Sequence, residues 1–189
     1  MKLGTIYLDG KIVPIVQGIE GKAHSLLDVC KKFEIAQINS ILDLINLSKD
    51  NPNLLNNITN ASEELVGFDP IDWAPPIVNP SKILGVAFNN KELMKKAHKD
   101  PGVPNYFSKP PSALQAHEKP IIVDPDWGAV IPEPEICAVI GKRAKHISEE
   151  EALNYVFGYM IHNDVTSHGL KFQKDSIAVT YDKDMARPE

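Results

Sequence analysis

The sequence predicts an α+β protein, with a small α/β domain over residues 1–75 followed by a mainly β domain over 76–189. Three observations carry that expectation. Residues 3–19 alternate around Gly10 in the manner of paired strands, and two helical apolar patterns follow them. Twelve of the 15 prolines lie between Pro70 and Pro134, where a residue that fixes φ and lacks a backbone N–H excludes long helix and central sheet. Beyond them, segments 135–141 and 156–161 are rich in the β-branched and apolar residues that suit a pleated, half-buried surface.

Taken in order, TIYLDG and KIVPIVQG read as a hairpin with Asp9-Gly10 at its turn. Ser25-Leu26-Leu27-Asp28 resembles a capping box and opens a helix whose apolar residues Leu26, Val29, Cys30 and Phe33 recur at helical spacing. Ile38, Ile41, Leu42 and Ile45 form a second such stripe, which needs a surface to bury against. The Asn-rich stretch 51–60, with Pro52, reads as a loop or a frayed helix end. The proline-rich region should be short strands and ordered loops, with one or two helical turns around Asn90–His98. Segments 85–89 and 107–113 are expected to be loops, where Lys109 and Ser112 either contact an anionic substrate or cap a turn. Ser148-Glu149-Glu150-Glu151 predicts a helix running to about Tyr155.

Composition excludes several classes of function. Twenty Lys and Arg against 25 Asp and Glu leave a net charge of −5, a poor match for phosphate backbones, so no nucleic-acid partner is expected. Asp9 and Lys11 interrupt the apolar N-terminal stretch, so no signal-peptide core forms. No run approaches the roughly 18 apolar residues of a membrane span. Cys30 and Cys137 are too few and too far apart for a disulfide framework or a cysteine zinc site, and read as buried thiols of a reducing compartment. A cytoplasmic protein without a membrane partner is expected. G-x-S-x-G, G-x-G-x-x-G and the Walker A pattern are all missing, which removes support for serine-hydrolase, dinucleotide and P-loop chemistry.

The segment most suggestive of chemistry is Glu133-Pro134-Glu135. On an extended chain residues i and i+2 share a face, so two carboxylates point the same way and repel unless a cation or water separates them. Solvated surface pairs of this kind are common, and spacing alone favours that reading. Asp164 ends an apolar strand, a position equally suited to a functional acid and to a turn former. Together the three would make a hard-oxygen site suited to Mg²⁺, Mn²⁺ or Ca²⁺. His162 and His168 flank Asp164 and could line the same cavity, although satisfied structural histidines are the commoner outcome.

In combination these segments resemble the fumarylacetoacetate hydrolase family. The similarity runs from Lys82-Ile83-Leu84-Gly85-Val86 through Phe107-Ser108-Lys109-Pro110-Pro111-Ser112-Ala113, continues in Pro132–Lys142, and closes with Ala152–Asp164 and Val165-Thr166. It implies a catalytic domain built mainly of strands in a sandwich-like roll, preceded by a small N-terminal domain. It implies a divalent metal on Glu133, Glu135 and Asp164, usually Mg²⁺, Mn²⁺ or Ca²⁺. A small 2-oxo or 1,3-dioxo carboxylic acid as substrate and a homodimer follow from the same resemblance. The shared chemistry of such enzymes is a metal-stabilised enolate leading to C–C hydrolysis, decarboxylation or dehydration. Lys109 and Ser112 would then lie near the substrate path.

The chain departs from that family in two places. Many members carry a lid His and Glu in N-Y-x-x-H-x-x-E; here Leu93 and Lys96 occupy those positions, with Glu92 and His98 the nearest substitutes. A dehydratase-like or other 2-oxo-acid reaction is therefore expected over plain hydrolysis. The family's later strands, its Lys-Ser-x-Asp-Thr stretch and its Gly-Pro loop have no counterpart here, Lys183-Asp184 being a poor stand-in, so a chain truncated at its C-terminus is expected. The competing expectation is a catalytically inactive module that serves dimerisation or partner binding.

Overall fold

The structure, a computed structural model, describes residues 1–70, 72–97, 102–125 and 128–168. It is mixed α+β, with strands predominating. Its contacts divide into two units. The first comprises Met1–Pro80, Pro111–Pro120 and Cys137–Met160; the second comprises Ser81–Pro110, Ile121–Ile136 and the chain from Ile161 on.

The first unit begins with the hairpin of β1 (Leu3–Leu8) and β2 (Lys11–Gln17), in which Leu8 pairs with Lys11. Asp9 and Gly10 between them have φ of 49° and 73°; two positive φ values in a two-residue turn match the right-handed twist of the flanking strands, and Gly10 meets that demand without strain. With β3 (Ala23–Ser25) and β4 (Trp73–Ala74) they form an antiparallel sheet in the order β3-β2-β1-β4. Ser25 caps α1 (Leu26–Lys32) by accepting from the Asp28 amide at 3.3 Å, as the sequence predicts.

Ser40 caps α2 (Ile41–Ser48) in the same way, accepting from the Asp43 amide at 3.0 Å. Ile38, the first member of the expected apolar stripe, therefore precedes the helix and is still fully buried. Leu26, Val29 and Cys30 of α1 meet Ile41, Leu44 and Ile45 of α2 in the main core. Burial pushes the Cys30 thiol above its ordinary pKa, which makes it inert, while Cys137 is half-buried.

The Asn-rich stretch, expected to be a loop or a frayed helix end, is regular helix from Leu54 on: α3 spans Leu54–Glu63. Leu54, Ile58 and Ala61 recur at i, i+4 and i+7 and are buried in the core, and that burial outweighs the weak helix preference of asparagine. A second correction falls on 148–155. The Ser148 hydroxyl does accept from the Glu151 amide at 3.4 Å, but only a 3-10 turn at Ala152–Tyr155 follows. That turn buries no residue, so no apolar face supports a longer helix.

In the second unit, β5 (Ile83–Ala87) pairs antiparallel with β6 (Asn105–Lys109), so the first three residues of each segment expected to be a loop are strand. Gly85 lies opposite Phe107, whose ring covers it so closely that a Cβ there would fall 2.1 Å from the ring tip. The aromatic side chain occupies the space the missing side chain leaves open. Helix α4 (Lys91–Ala97) follows β5, as expected around Asn90–His98. The side chains of Leu93 and Lys96, together with His98, Lys183 and Asp184, lie outside the described part of the structure.

Strand β7 (Ala129–Ile131) and β10 (Thr166–His168) form a second antiparallel pair, with Thr166 opposite Ile131. Strands β8 (Pro134–Ile140) and β9 (Val156–Asn163) form a third. Among the described residues no helix is long and apolar enough to cross a membrane.

Candidate metal centre

Three backbone-level features bring the predicted carboxylates together. Glu133 immediately precedes β8 and Glu135 lies within it, so the strand's two-residue period aims both to one side. Asp164 immediately follows β9, and its amide donates to the Glu133 carbonyl at 2.8 Å. The Glu133 amide in turn donates to Asn163 Oδ1 at 3.1 Å. These two hydrogen bonds fix Asp164 beside the Glu133-Pro134-Glu135 turn of chain. One carboxylate oxygen from each of the three residues lies within 4.8 Å of the others.

Thr166 adds a further constraint. Its hydroxyl lies 3.4 Å from Glu133 Oε2 and 3.2 Å from the Asp164 carbonyl, bridging the two ligand-bearing segments. The sequence reading assigned no role to Asn163 or Thr166; the available signal was their adjacency to Asp164 with side chains able to bond locally.

Asp164 is 4% exposed, whereas Glu133 and Glu135 are half-buried. Its Oδ1 is buried and accepts no hydrogen bond among the described residues; the ammonium of Lys109, the last residue of β6, sits against it as an ion pair. The same ammonium lies 3.5 Å from the Val165 carbonyl. Burial pushes the Lys109 pKa below its ordinary value, and the nearby charges of Glu135 and Glu133 partly oppose that shift. Three carboxylates against one ammonium leave the cluster a formal charge of −2.

This donor set fits a hard divalent cation. All the ligand atoms offered are carboxylate oxygens, and the one ammonium paired with the buried Asp164 leaves the site short of positive charge. Ser112 belongs to the first unit. There the 3-10 turn Pro111–Ala113 exposes it to an open cavity of about 300 Å³, also lined by Tyr7 and Lys119. His162 is half-buried on β9, and His168 pairs through its backbone with Ala129.

Comparison with known proteins follows the same residues. The sequence profile described as "Fumarylacetoacetate (FAA) hydrolase C-terminal" matches residues 82–187, more than half of the chain. The chain belongs to the fumarylacetoacetate hydrolase family.

Among relatives in that family, the "Fumarylacetoacetate hydrolase domain-containing protein 2 homolog" of Dictyostelium discoideum is 32% identical over 155 residues, which is 73% of this chain and 50% of the relative. "Oxaloacetate tautomerase fahd2, mitochondrial" of Xenopus laevis is 28% identical over 117 residues, or 61% of this chain and 37% of that protein. The solved structure of a fumarylacetoacetate hydrolase from psychrophilic Exiguobacterium antarcticum superposes with a TM-score of 0.62 at 23% identity, covering 88% of this chain and 56% of that one. That last likeness is one of fold. The chain thus spans half or less of the length of these two curated relatives.

Proposed function

We propose that the chain acts on a small 2-oxo or 1,3-dioxo carboxylic acid as a divalent-metal-dependent enzyme, with Glu133, Glu135 and Asp164 holding Mg²⁺, Mn²⁺ or Ca²⁺. The observation that carries this reading is the convergence of one oxygen from each of the three carboxylates to within 4.8 Å of the others, with Asp164 buried and a single ammonium, that of Lys109, set against them. Family membership adds a class of enzyme in which hydrolase, lyase and tautomerase activities occur. When bound, such an ion supplies Lewis-acid stabilisation for negative charge developing on a substrate oxygen.

The chain's own residues supply the rest. Glu133 and Glu135 present two acceptors from one rigid strand start, and Pro134 between them stiffens that segment. Asn163 and Thr166 hold the Glu133 side of the site in register with Asp164. Lys109 brings a cation to the same site and partly offsets the charge of the carboxylates. The common step we assign is enolisation of the acid, in which the carbon next to the carbonyl gives a proton to water and the carbonyl oxygen, left as enolate, takes a proton back from water to complete the enol. The Xenopus relative's name, an oxaloacetate tautomerase, is in keeping with that step. A homodimer in the cytoplasm completes the reading.

Two measurements test it. Calorimetric titration of the chain with Mn²⁺ should show one-site binding that Glu133→Gln abolishes. Ultraviolet absorbance of oxaloacetate should show keto–enol exchange catalysed by the Mg²⁺-loaded chain and lost in Glu135→Gln. Unchanged Mn²⁺ binding in the variant rules out the ligand set. A metal-loaded chain without activity on any 2-oxo acid instead favours a module for dimerisation or partner binding.

A further inference from the structure

We propose that Lys109 is the resident counter-ion of the carboxylate trio, competing with a divalent cation for Asp164 and so setting how tightly that cation is held. This deepens the metal reading above and rests on it.

The argument begins with Asp164. Its side chain is 5% exposed, and a buried carboxylate with no hydrogen bond to one oxygen is costly to keep charged unless a cation faces it. Among the described residues the ammonium of Lys109 is paired with that oxygen. Lys109 reaches Asp164 from a different strand pair, so its position is set by the fold of β5 and β6 and not by local sequence. One ammonium does not neutralise three carboxylates, and the remaining charge of −2 still attracts a dication.

An ammonium and a dication cannot share one carboxylate oxygen at contact distance, because their mutual repulsion adds to the loss of the ion pair. Binding of the dication therefore requires the ammonium to withdraw. Lys109 can do so without moving its strand. Its side chain is 27% exposed, its four-carbon stem is flexible, and the Val165 carbonyl lies 3.5 Å from Nζ as another acceptor. Lys109 thus offsets part of the charge of the metal-free trio, which the backbone bond between Asp164 and Glu133 holds together, and lowers its affinity once metal arrives.

The test titrates Mn²⁺ into the full chain, Lys109→Met, Lys109→Gln and Glu135→Gln, with binding read by calorimetry. Loss of the competing charge should tighten Mn²⁺ binding by about tenfold or more in both lysine variants. Equal or weaker affinity in them, with binding by the parent chain and none by Glu135→Gln, overturns the counter-ion and leaves the metal site standing. Binding by none of the chains, or undiminished binding by Glu135→Gln, overturns the metal reading and the counter-ion with it.

A measurement on the unaltered chain guards against misfolded variants. Acetylation of Lys109 by acetic anhydride, followed by mass spectrometry, should accelerate at saturating Mg²⁺ as the amine leaves Asp164. An unchanged or slower rate overturns the proposal.

Discussion

The amide of Asp164 donates to the carbonyl of Glu133 at 2.8 Å, so the two acids that close the candidate metal centre are joined first through their backbones. The side chains inherit that placement. A substitution that spares the backbone bond should alter binding without dispersing the trio, and the supporting residues can be tested separately from the ligands.

Thr166 is the sharpest such case. Thr166→Val removes the hydroxyl facing Glu133 Oε2 and the Asp164 carbonyl while keeping side-chain volume. A hydrogen bond of this kind contributes about 1 kcal/mol, so Mn²⁺ affinity should fall roughly fivefold. Thr166→Ser, which keeps the hydroxyl, should bind within about twofold of the parent chain. Calorimetry on the pair distinguishes the hydroxyl's effect from that of packing.

Ile58 tests the helix the sequence concealed. It is fully buried in α3, and Ile58→Ala should cost about 2–5 kcal/mol, read as a lower urea midpoint. Asn57→Ala, on the exposed side of the same helix, should instead be neutral or stabilising by about 0.5 kcal/mol.

Gly85 and Phe107 should behave as a coupled pair. Gly85→Ala places a methyl where the Phe107 ring lies and should destabilise the chain by about 1–3 kcal/mol. In a Phe107→Ala background the same change should cost about 0.5 kcal/mol or less, because the obstacle is gone. Additive effects in the double-mutant cycle would disprove the close approach.

His24 gives the first unit a pH dependence. The residue is buried, and burial lowers its pKa from the ordinary value, so the folded chain holds the imidazole neutral. The unfolded chain takes up that proton near pH 6.5 while the folded chain does so only at lower pH. Stability from this group is therefore complete above about pH 6.5 and is lost as the pH falls towards the folded value. Melting temperatures between pH 7.5 and pH 5 should decline more steeply for the parent chain than for His24→Gln.

Local patterns were legible where the physics is local. Asp9-Gly10 announces its turn because few other residue pairs tolerate two positive φ values, and Ser25 announces a helix start because its hydroxyl serves an amide three residues on. Glu133 and Glu135 were legible because a strand's period puts them on one side. The helix α3 was obscured because its buried stripe of Leu54, Ile58 and Ala61 is interleaved with asparagines, whose propensity argues the other way.

The pairing of Lys109 with Asp164 was not legible, since it depends on how β6 lies against the end of β9, which no spacing rule encodes. Reading Lys109 as a substrate contact followed from its charge and from the family resemblance of Phe107–Ala113, neither of which points to Asp164 as its neighbour. Thr166 was seen as the close of the family resemblance but given no role, because a threonine in a β-rich segment is ordinary until its neighbour proves to be a ligand.

Asp164 is separated from the Glu133-Pro134-Glu135 segment by roughly thirty residues, and a cation gripping both ends would act as a reversible cross-link, closing that excursion much as a disulfide closes a loop. Metal content would then be written into the mechanical integrity of the intervening chain. Adding a chelator would lengthen the leash, and proteases would find residues 136–163 sooner.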